Sequence, residues 1–261
     1  MELSTIIGLV LGFLIITVGL VLKGASLAVL VNPAAIVIIF VGTAACLFNG
    51  FSMNDLKKFP VFFKMLFKKQ ILIDKGELLR LFVELSQTAR REGILALESR
   101  MEEIQDPFLR NGISMVVDGL DAEFVGDVLE ADVQAMEERH RSGALIFTQA
   151  GTYAPTLGVL GAVVGLIAAL GNLNDIDKLG QSIAAAFVAT LFGIFSGYVL
   201  WHPFANKLKN MSKKEAEIKR MIIEGVLSLQ AGDSPIAVEA KLLVFVSQNE
   251  RASIKPSKSE A

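Results

Sequence analysis

The chain has 261 residues, 52% of them hydrophobic and 20% charged, with a mean hydropathy of +0.53. Ordinary soluble domains carry about 45–50% apolar and about 25% charged residues, so this composition argues against a plain soluble enzyme, and equally against disorder, which needs low hydrophobicity. With 25 basic against 27 acidic residues there is no positive excess for nucleic acid, and one cysteine with two distant histidines, His140 and His202, leaves neither a disulfide framework nor a metal-ligand spacing.

The hydrophobic excess sits in four blocks, each near the ~20 apolar residues that cross a bilayer. The first runs from Ile6 to Leu22 and the second from Pro33 to about Met53. No basic n-region precedes the first, so it reads as a retained helix rather than a signal peptide. After the second span come Lys57, Lys58, Lys64, Lys68 and Lys69. The segment LKKFPVFFKMLFKK (56–69) interleaves Phe and Leu with Lys. It reads as an amphipathic stretch lying on the inner leaflet, or as a juxtamembrane extension packed on the protein.

From Lys75 the pattern is helical. Leu78, Phe82, Leu85 and Ala89 share one face. Gly93 interrupts, Ile94, Leu97, Met101 and Ile104 read as a second helix, and Asp106-Pro107 opens a third at the favoured cap and first-turn positions. Asp121 can cap a fourth, running through Phe124, Val128 and Met136 towards the third span. Between the first two helices lies ARREGILALESRMEE, which crowds Arg90, Arg91, Glu92, Glu98, Arg100, Glu102 and Glu103 together. Most charge runs of this kind are solvated faces, with ion pairs worth about 0–1 kcal/mol. A docking surface for a partner of complementary charge is the functional alternative.

The third span runs from Ala144 to Leu170 and the fourth from Leu179 to Phe204. Both carry rows of small residues: Gly161, Gly165 and Ala169 in one, Ala185, Ala189, Gly193 and Gly197 in the other. Such rows let helix backbones approach closely in lipid, within one subunit or, as the expectation here, between subunits. From Ser142 to Asn174 there is no Asp, Glu, Lys or Arg, and the fourth span has none before Lys207. Ion pumps and relays normally hold a carboxylate at depth. If this protein moves ions, that carboxylate belongs to another chain. Pro155, with Gly158 three residues on, frees backbone carbonyls and invites a kink. Lys207, Lys209, Lys213, Lys214, Lys219 and Arg220 follow the fourth span. The positive-inside rule then puts both basic clusters and both termini in the cytoplasm.

The expected fold class is an all-α integral membrane protein, with four transmembrane helices and a helical cytoplasmic domain inserted between helices 2 and 3. Its parts are a hairpin over 1–53, the cytoplasmic domain with its interfacial segment over 54–142, a second hairpin over 143–204, and a cytoplasmic tail over 205–261. The segment after about Gln248 reads as disordered, and Cys46 as a small buried apolar residue. No Gly-rich phosphate loop, G-x-S-x-G or histidine pair is present. No catalytic site is expected, so the transmembrane ion gradient is the remaining energy source.

Three stretches carry a family resemblance: ARREGILALE (89–98), AGTYAPTLGVLGAVVGLIAAL (150–170) and AAAFVATLFGIFSGYVLWHPFANKL (184–208). NPAAIVIIFVGT (32–43), VDGLDAEF (117–124) and EERHRSGALIF (137–147) add to them. Over essentially its whole length the chain resembles the MotA/PomA family, the larger stator subunit of the bacterial flagellar motor, which serves motility and chemotaxis. The resemblance implies a multi-pass protein of the bacterial cytoplasmic membrane, with several copies, five in the current picture, around a dimer of a MotB-type partner. That partner brings one membrane helix with an essential Asp, which suits the missing carboxylate, and a domain that grips peptidoglycan. By the same resemblance Arg90, Arg91 and Glu98 meet the rotor protein FliG. Pro155 lies beside the partner Asp, Pro235 is a second proline of conformational coupling, and Thr190 faces the ion path. Sodium-driven relatives tend to have a Thr in the third span and an Asp upstream of the proline. Here those positions are Ala162 and Thr152. An alanine side chain offers sodium no oxygen, so the transported ion is expected to be H+ and no cofactor is implied. A TolQ/ExbB-like energiser is the runner-up, although three spans rather than four are expected of it. A sodium-driven stator, a purely structural scaffold and a channel built by this chain alone are the remaining alternatives.

Overall fold

The computed structural model describes residues 2–251. Among them every regular element is a helix, and four helices are long and apolar enough to cross a membrane. The described residues are thus all-α, with a helical region between the second and third of these apolar helices. Two compact units divide it, residues 1–70 with 139–210 and residues 71–138 with 211–261. The segment after Lys57 thus groups with the spans. The final residues of the tail lie outside the described part. Residues just before them form a short helix, Gln248–Arg251, with the Ser247 hydroxyl on the Glu250 carboxylate at 2.8 Å.

In the apolar unit the first span is the helix Leu3–Leu22. Gly24 ends the turn after it at φ +72°, a conformation glycine adopts without steric cost. The second span, Leu27–Gly50, is a relay of short pieces. Asn32 joins it to the fourth span. Its side chain accepts from the Ala35 N–H at 3.1 Å, with Pro33 at the first helical position, and donates to the Ala185 carbonyl at 3.0 Å. One turn of π-helix, Val37–Val41, follows before the α-helix Gly42–Gly50.

The segment 56–69 folds as the short helix Phe59–Met65 and flanking turns. Phe62 and Leu66 are buried against Ala144, Phe147, Phe204, Ala205 and Leu208. The Phe59 ring stacks on Phe147 with centroids 4.9 Å apart. Gly143 lies under the Phe62 ring, where a β-carbon would collide with it. Much of this apolar face is therefore occupied by the protein itself, while Val61 and Phe63 stay exposed. The Thr5 hydroxyl donates to the Leu66 carbonyl at 3.0 Å, and the Lys207 ammonium bonds both the Thr5 hydroxyl and the Glu2 carboxylate.

The polar unit is built on an aliphatic core. Helix Lys75–Glu92 starts at Asp74, whose carboxylate accepts from the N–H groups of Gly76 and Glu77, and stops at Gly93 with φ +89°. Leu78, Phe82 and Leu85 are buried and Ala89 packs beside them. The expected second helix does not form as one piece. Residues 94–103 break into 3₁₀ turns, Ile94–Ala96 and Met101–Glu103, around the single α-turn Leu97–Arg100. Leu97 and Ile104 still reach the core, so the apolar spacing marked burial correctly and helical continuity wrongly. Asp106 caps Pro107–Val117 through the Leu109 N–H at 2.9 Å. Asp121 accepts from the Glu123 N–H at 2.9 Å at the start of Ala122–Leu170. That helix has 49 residues and contributes to both units, and His202–Gln230 likewise extends the fourth span's chain into the polar unit.

Candidate functional site

The third and fourth spans are held together by absent side chains. A β-carbon at Gly165 would come within 2.9 Å of Ala186. At Gly161 it would come within 2.9 Å of the Ala189 methyl, and at Gly158 within 2.9 Å of the Gly193 Cα. At Gly193 it would meet the Gly158 Cα at 2.7 Å, and at Gly197 the Pro155 ring at 2.7 Å. Gly151 closes the series against the imidazole of His202. The glycines of these rows, expected to serve contacts between subunits, are packed within the chain, mostly between the third and fourth spans. The physical reason is that backbones this close bury van der Waals surface, which in lipid replaces the hydrophobic effect. Gly12 of the first span also stays inside the chain, against Val199 and Phe195, while Gly8 has open space.

What this pair leaves uncovered is a second face. Thr152, Thr156, Val159, Val163 and Leu166 follow one another at helical spacing down the third span and are all exposed. Phe187, Ile194 and Tyr198 do the same on the fourth. Thr152 donates to the Thr148 carbonyl at 3.1 Å, and Thr190, half-buried, donates weakly to the Ala186 carbonyl at 3.4 Å. Both hydroxyl oxygens keep lone pairs free to accept from a protonated group. Ala162 is half-buried and adds no polar atom. Pro155 is inside an unbroken helix, so it withdraws one N–H from the ladder without ending it. Its ring is clamped by Gly197.

The second group of candidates lies in the polar unit. Arg90, Arg91 and Glu98 are exposed, and among the described residues none of them forms an ion pair. Arg100 differs, pairing with Glu103 at 3.1 Å and with Glu84 at 4.0 Å. Gly93 separates the two arginines from Glu98 by ending one helix before the next turn begins. Pro235 occupies the first position of helix Pro235–Leu242, behind the Ser234 cap. Just before it the Asp233 carboxylate meets Lys241 at 2.8 Å. Lys241 holds the Asp233 carboxyl below its usual range, and Asp233 in turn raises the Lys241 ammonium. Lys241 also reaches Glu224 at 3.4 Å.

Sequence reasoning missed the charges that brace this unit. Arg220 bridges Glu137 at 2.7 Å and Glu130 at 3.4 Å, and the Glu137 hydrogen bond raises the guanidinium further. Lys219 sits 4.3 Å above the Phe108 ring and 3.6 Å from Asp132. These pairs join residues about 80 to 110 positions apart, and no local spacing announces them.

The N-terminal part of the chain, residues 6–93, matches the motility protein A N-terminal family, and residues 100–221 match the MotA/TolQ/ExbB proton channel family. Motility protein A of Bacillus subtilis (strain 168) is 53% identical over 251 residues, which cover 96% of this chain and 93% of that protein. The chain belongs to the MotA/PomA family. Among solved structures, the flagellar MotAB stator complex from Bacillus subtilis contains a chain that superimposes with a TM-score of 0.90 at 53% identity, covering 96% of this chain and 98% of that one. A C. jejuni MotAB chain gives 0.89 at 33% identity, with 95% and 97% covered. Membership in this family makes the four apolar helices membrane spans of a channel-type subunit.

Proposed function

We propose that this chain is the larger stator subunit of a bacterial flagellar motor. With a MotB-type partner it forms a transmembrane proton channel that couples ion flow to torque, and it is not an enzyme. The observation that carries the reading is the near-complete superposition on a chain of a flagellar stator complex at 53% identity. The assembly we infer is a ring of copies, five by family resemblance, around a partner dimer in the cytoplasmic membrane. Both termini and the polar unit then face the cytoplasm, in keeping with the lysines that follow the second and fourth spans.

The chemistry follows from what the spans lack. The exposed face with Thr152 and Thr156 takes the partner helix, whose Asp supplies the carboxylate. A proton entering from outside neutralises that Asp, and its later release restores a buried charge. Those two states differ by several kcal/mol in solvation cost, and each proton crossing brings about 2.3 kcal/mol per 100 mV. The difference biases the packing of the partner against Pro155 and Thr190, and the ring shifts or turns about it. Arg90, Arg91 and Glu98, exposed and without an ion pair among the described residues, are the charges that push FliG. Pro235 fixes the turn that supports helix Lys75–Glu92, which carries the two arginines.

Ala162 supports H+ over Na+, because it contributes no oxygen ligand. The test is rescue. Cells with assembled but motionless flagella, lacking their own stator, should rotate again when given this chain with its partner. Rotation should persist without external sodium. Persistent paralysis despite normal membrane levels of both chains would overturn the stator reading, and restored outer-membrane energisation would favour the TolQ/ExbB-like one. Strong sodium dependence would replace the ion.

A further inference from the structure

Between residues 143 and 206, the stretch that holds the third and fourth spans, the ionisable side chains are Tyr153, Asp175, Asp177, Lys178, Tyr198 and His202. Asp175 caps the helix of the fourth span, and Asp177 and Lys178 stand in its first turn, at the end next to the connection between the spans. At the opposite end, where Lys207 and Lys209 follow, His202 is the one imidazole of this stretch, a side chain whose ring nitrogens can accept and donate a proton.

Its setting is built rather than incidental. A turn of π-helix, Ser196–Trp201, ends immediately before it. Such turns insert an extra residue, re-aim the side chains that follow, and recur at functional sites. The imidazole then lies on the bare backbone of the third span. A β-carbon at Gly151 would stand 2.8 Å from the ring Cδ2 and 2.9 Å from Nε2. Gly151 is also four residues before Pro155, which has no N–H to offer, so the Gly151 carbonyl lacks its helical donor. That carbonyl lies against Gly197, one turn before His202. A carbonyl without its helical donor and an imidazole thus meet at one level of the same helix pair. The aromatic neighbour is Tyr198, with ring centroids 5.4 Å apart. No ionisable side chain faces the ring from Gly151, and the nearest ones along the two helices are Tyr153 and Tyr198, then Lys207, which is engaged by Glu2 and Thr5.

We infer that His202 is the proton acceptor at the cytoplasmic end of the ion path. This rests on the stator reading above. The partner's carboxylic acid breaks its O–H bond and becomes a carboxylate. The proton passes to the neutral imidazole and forms an N–H bond there. The imidazolium then gives a proton to cytoplasmic water and returns to the neutral form. Nothing is oxidised or reduced, and one proton has crossed.

The experiment uses the full chain with its partner in stator-less cells, with rotation speed of tethered cells read while cytoplasmic pH is set by a membrane-permeant weak acid. With the natural chain, speed falls as cytoplasmic pH drops. His202→Gln, at equal membrane level and equal co-purification with the partner, is several-fold slower at neutral pH and its speed no longer follows cytoplasmic pH. His202→Glu, which restores a titratable group, recovers speed and shifts the profile towards acid. Gly151→Ala, which crowds the ring without removing it, slows rotation and keeps the pH dependence. A His202→Gln chain with natural speed and profile overturns the inference while leaving the stator reading intact. A natural chain that fails to restore rotation removes both.

Discussion

Gly193 and Phe82 stand for two regions that obey opposite packing rules. Gly193 touches the Gly158 backbone, and the helix pair around it holds because nothing projects from either surface. Phe82 is fully buried and fills the space under Gly225 in a core of Leu, Ile, Val and Met side chains. The polar unit folds as proteins do in water, where apolar area removed from solvent is the driving term. The apolar unit leaves Val159, Val163, Ile167 and Phe187 on its outside, because lipid or another chain is as good a neighbour as a core. One chain therefore needs small residues in one half and large ones in the other, for the same end.

The largest expected effect comes from reversing this rule in the apolar unit. Gly193→Val puts side-chain atoms where the Gly158 Cα already lies, and no rotamer avoids backbone. The third and fourth spans must separate, and the exposed face they present is lost with them. We expect no rescue of rotation and little complex recovered by pull-down of the partner. Normal complex yield would mean that the pair is looser than its geometry implies. The mirror experiment is Phe82→Ala, which empties the polar core and costs about 3–5 kcal/mol. It should lower the temperature at which the polar unit of the purified complex becomes protease-sensitive, with the spans still resistant. If both halves were lost together, the two regions would not be separate folding units.

A smaller effect is expected where the two rules do not apply, on the exposed charges. Glu98→Lys and Arg90→Glu leave the core untouched and should slow rotation without changing membrane level or partner binding. Since neither residue has an ion pair to lose among the described residues, a stability change is not expected. Unchanged torque in both variants would make the run a solvated face.

How far the sequence could be read followed the same division. The spans were legible because apolar length alone marks them, and Asp106-Pro107 and Gly93 were legible because caps and stops are local chemistry. The rows of small residues were visible too, but not their partners. Spacing along one helix carries no register with another, so Gly158 could not be assigned to Gly193 or Pro155 to Gly197. The helix Ala122–Leu170 escaped for a different reason. Its surroundings change along its length, and periodicity rules read each part as a separate element. Residues 94–103 were misread as one helix because 3₁₀ turns keep apolar residues three apart, close to the α spacing. For the candidate site, Arg90, Arg91 and Glu98 stood out as charges, whereas their freedom from internal pairs needed coordinates.

The smallest expected effect is at the turn before Pro235, and it has a definite sign with pH. Lys241 lowers the Asp233 carboxyl, so that contribution is complete above the ordinary carboxylate value of about 3.9 and disappears as pH falls through the lowered one. Asp233 raises the Lys241 ammonium, so the lysine's share is complete below about 10.4 and disappears as pH rises through the raised one. Across neutral pH the pair is fully formed. Both groups are partly exposed, which limits the pair to about 1 kcal/mol or less. Asp233→Asn should therefore lower heat resistance of the polar unit slightly and equally from about pH 5 to 9, and match the natural chain only in strong acid. The backbone of the turn is held separately, by the Ser86 hydroxyl on the Asp233 carbonyl at 2.9 Å. A loss several times larger at neutral pH would mean that the ion pair, and not this part-buried hydrogen bond, ties Pro235–Leu242 to the helix that carries Arg90 and Arg91.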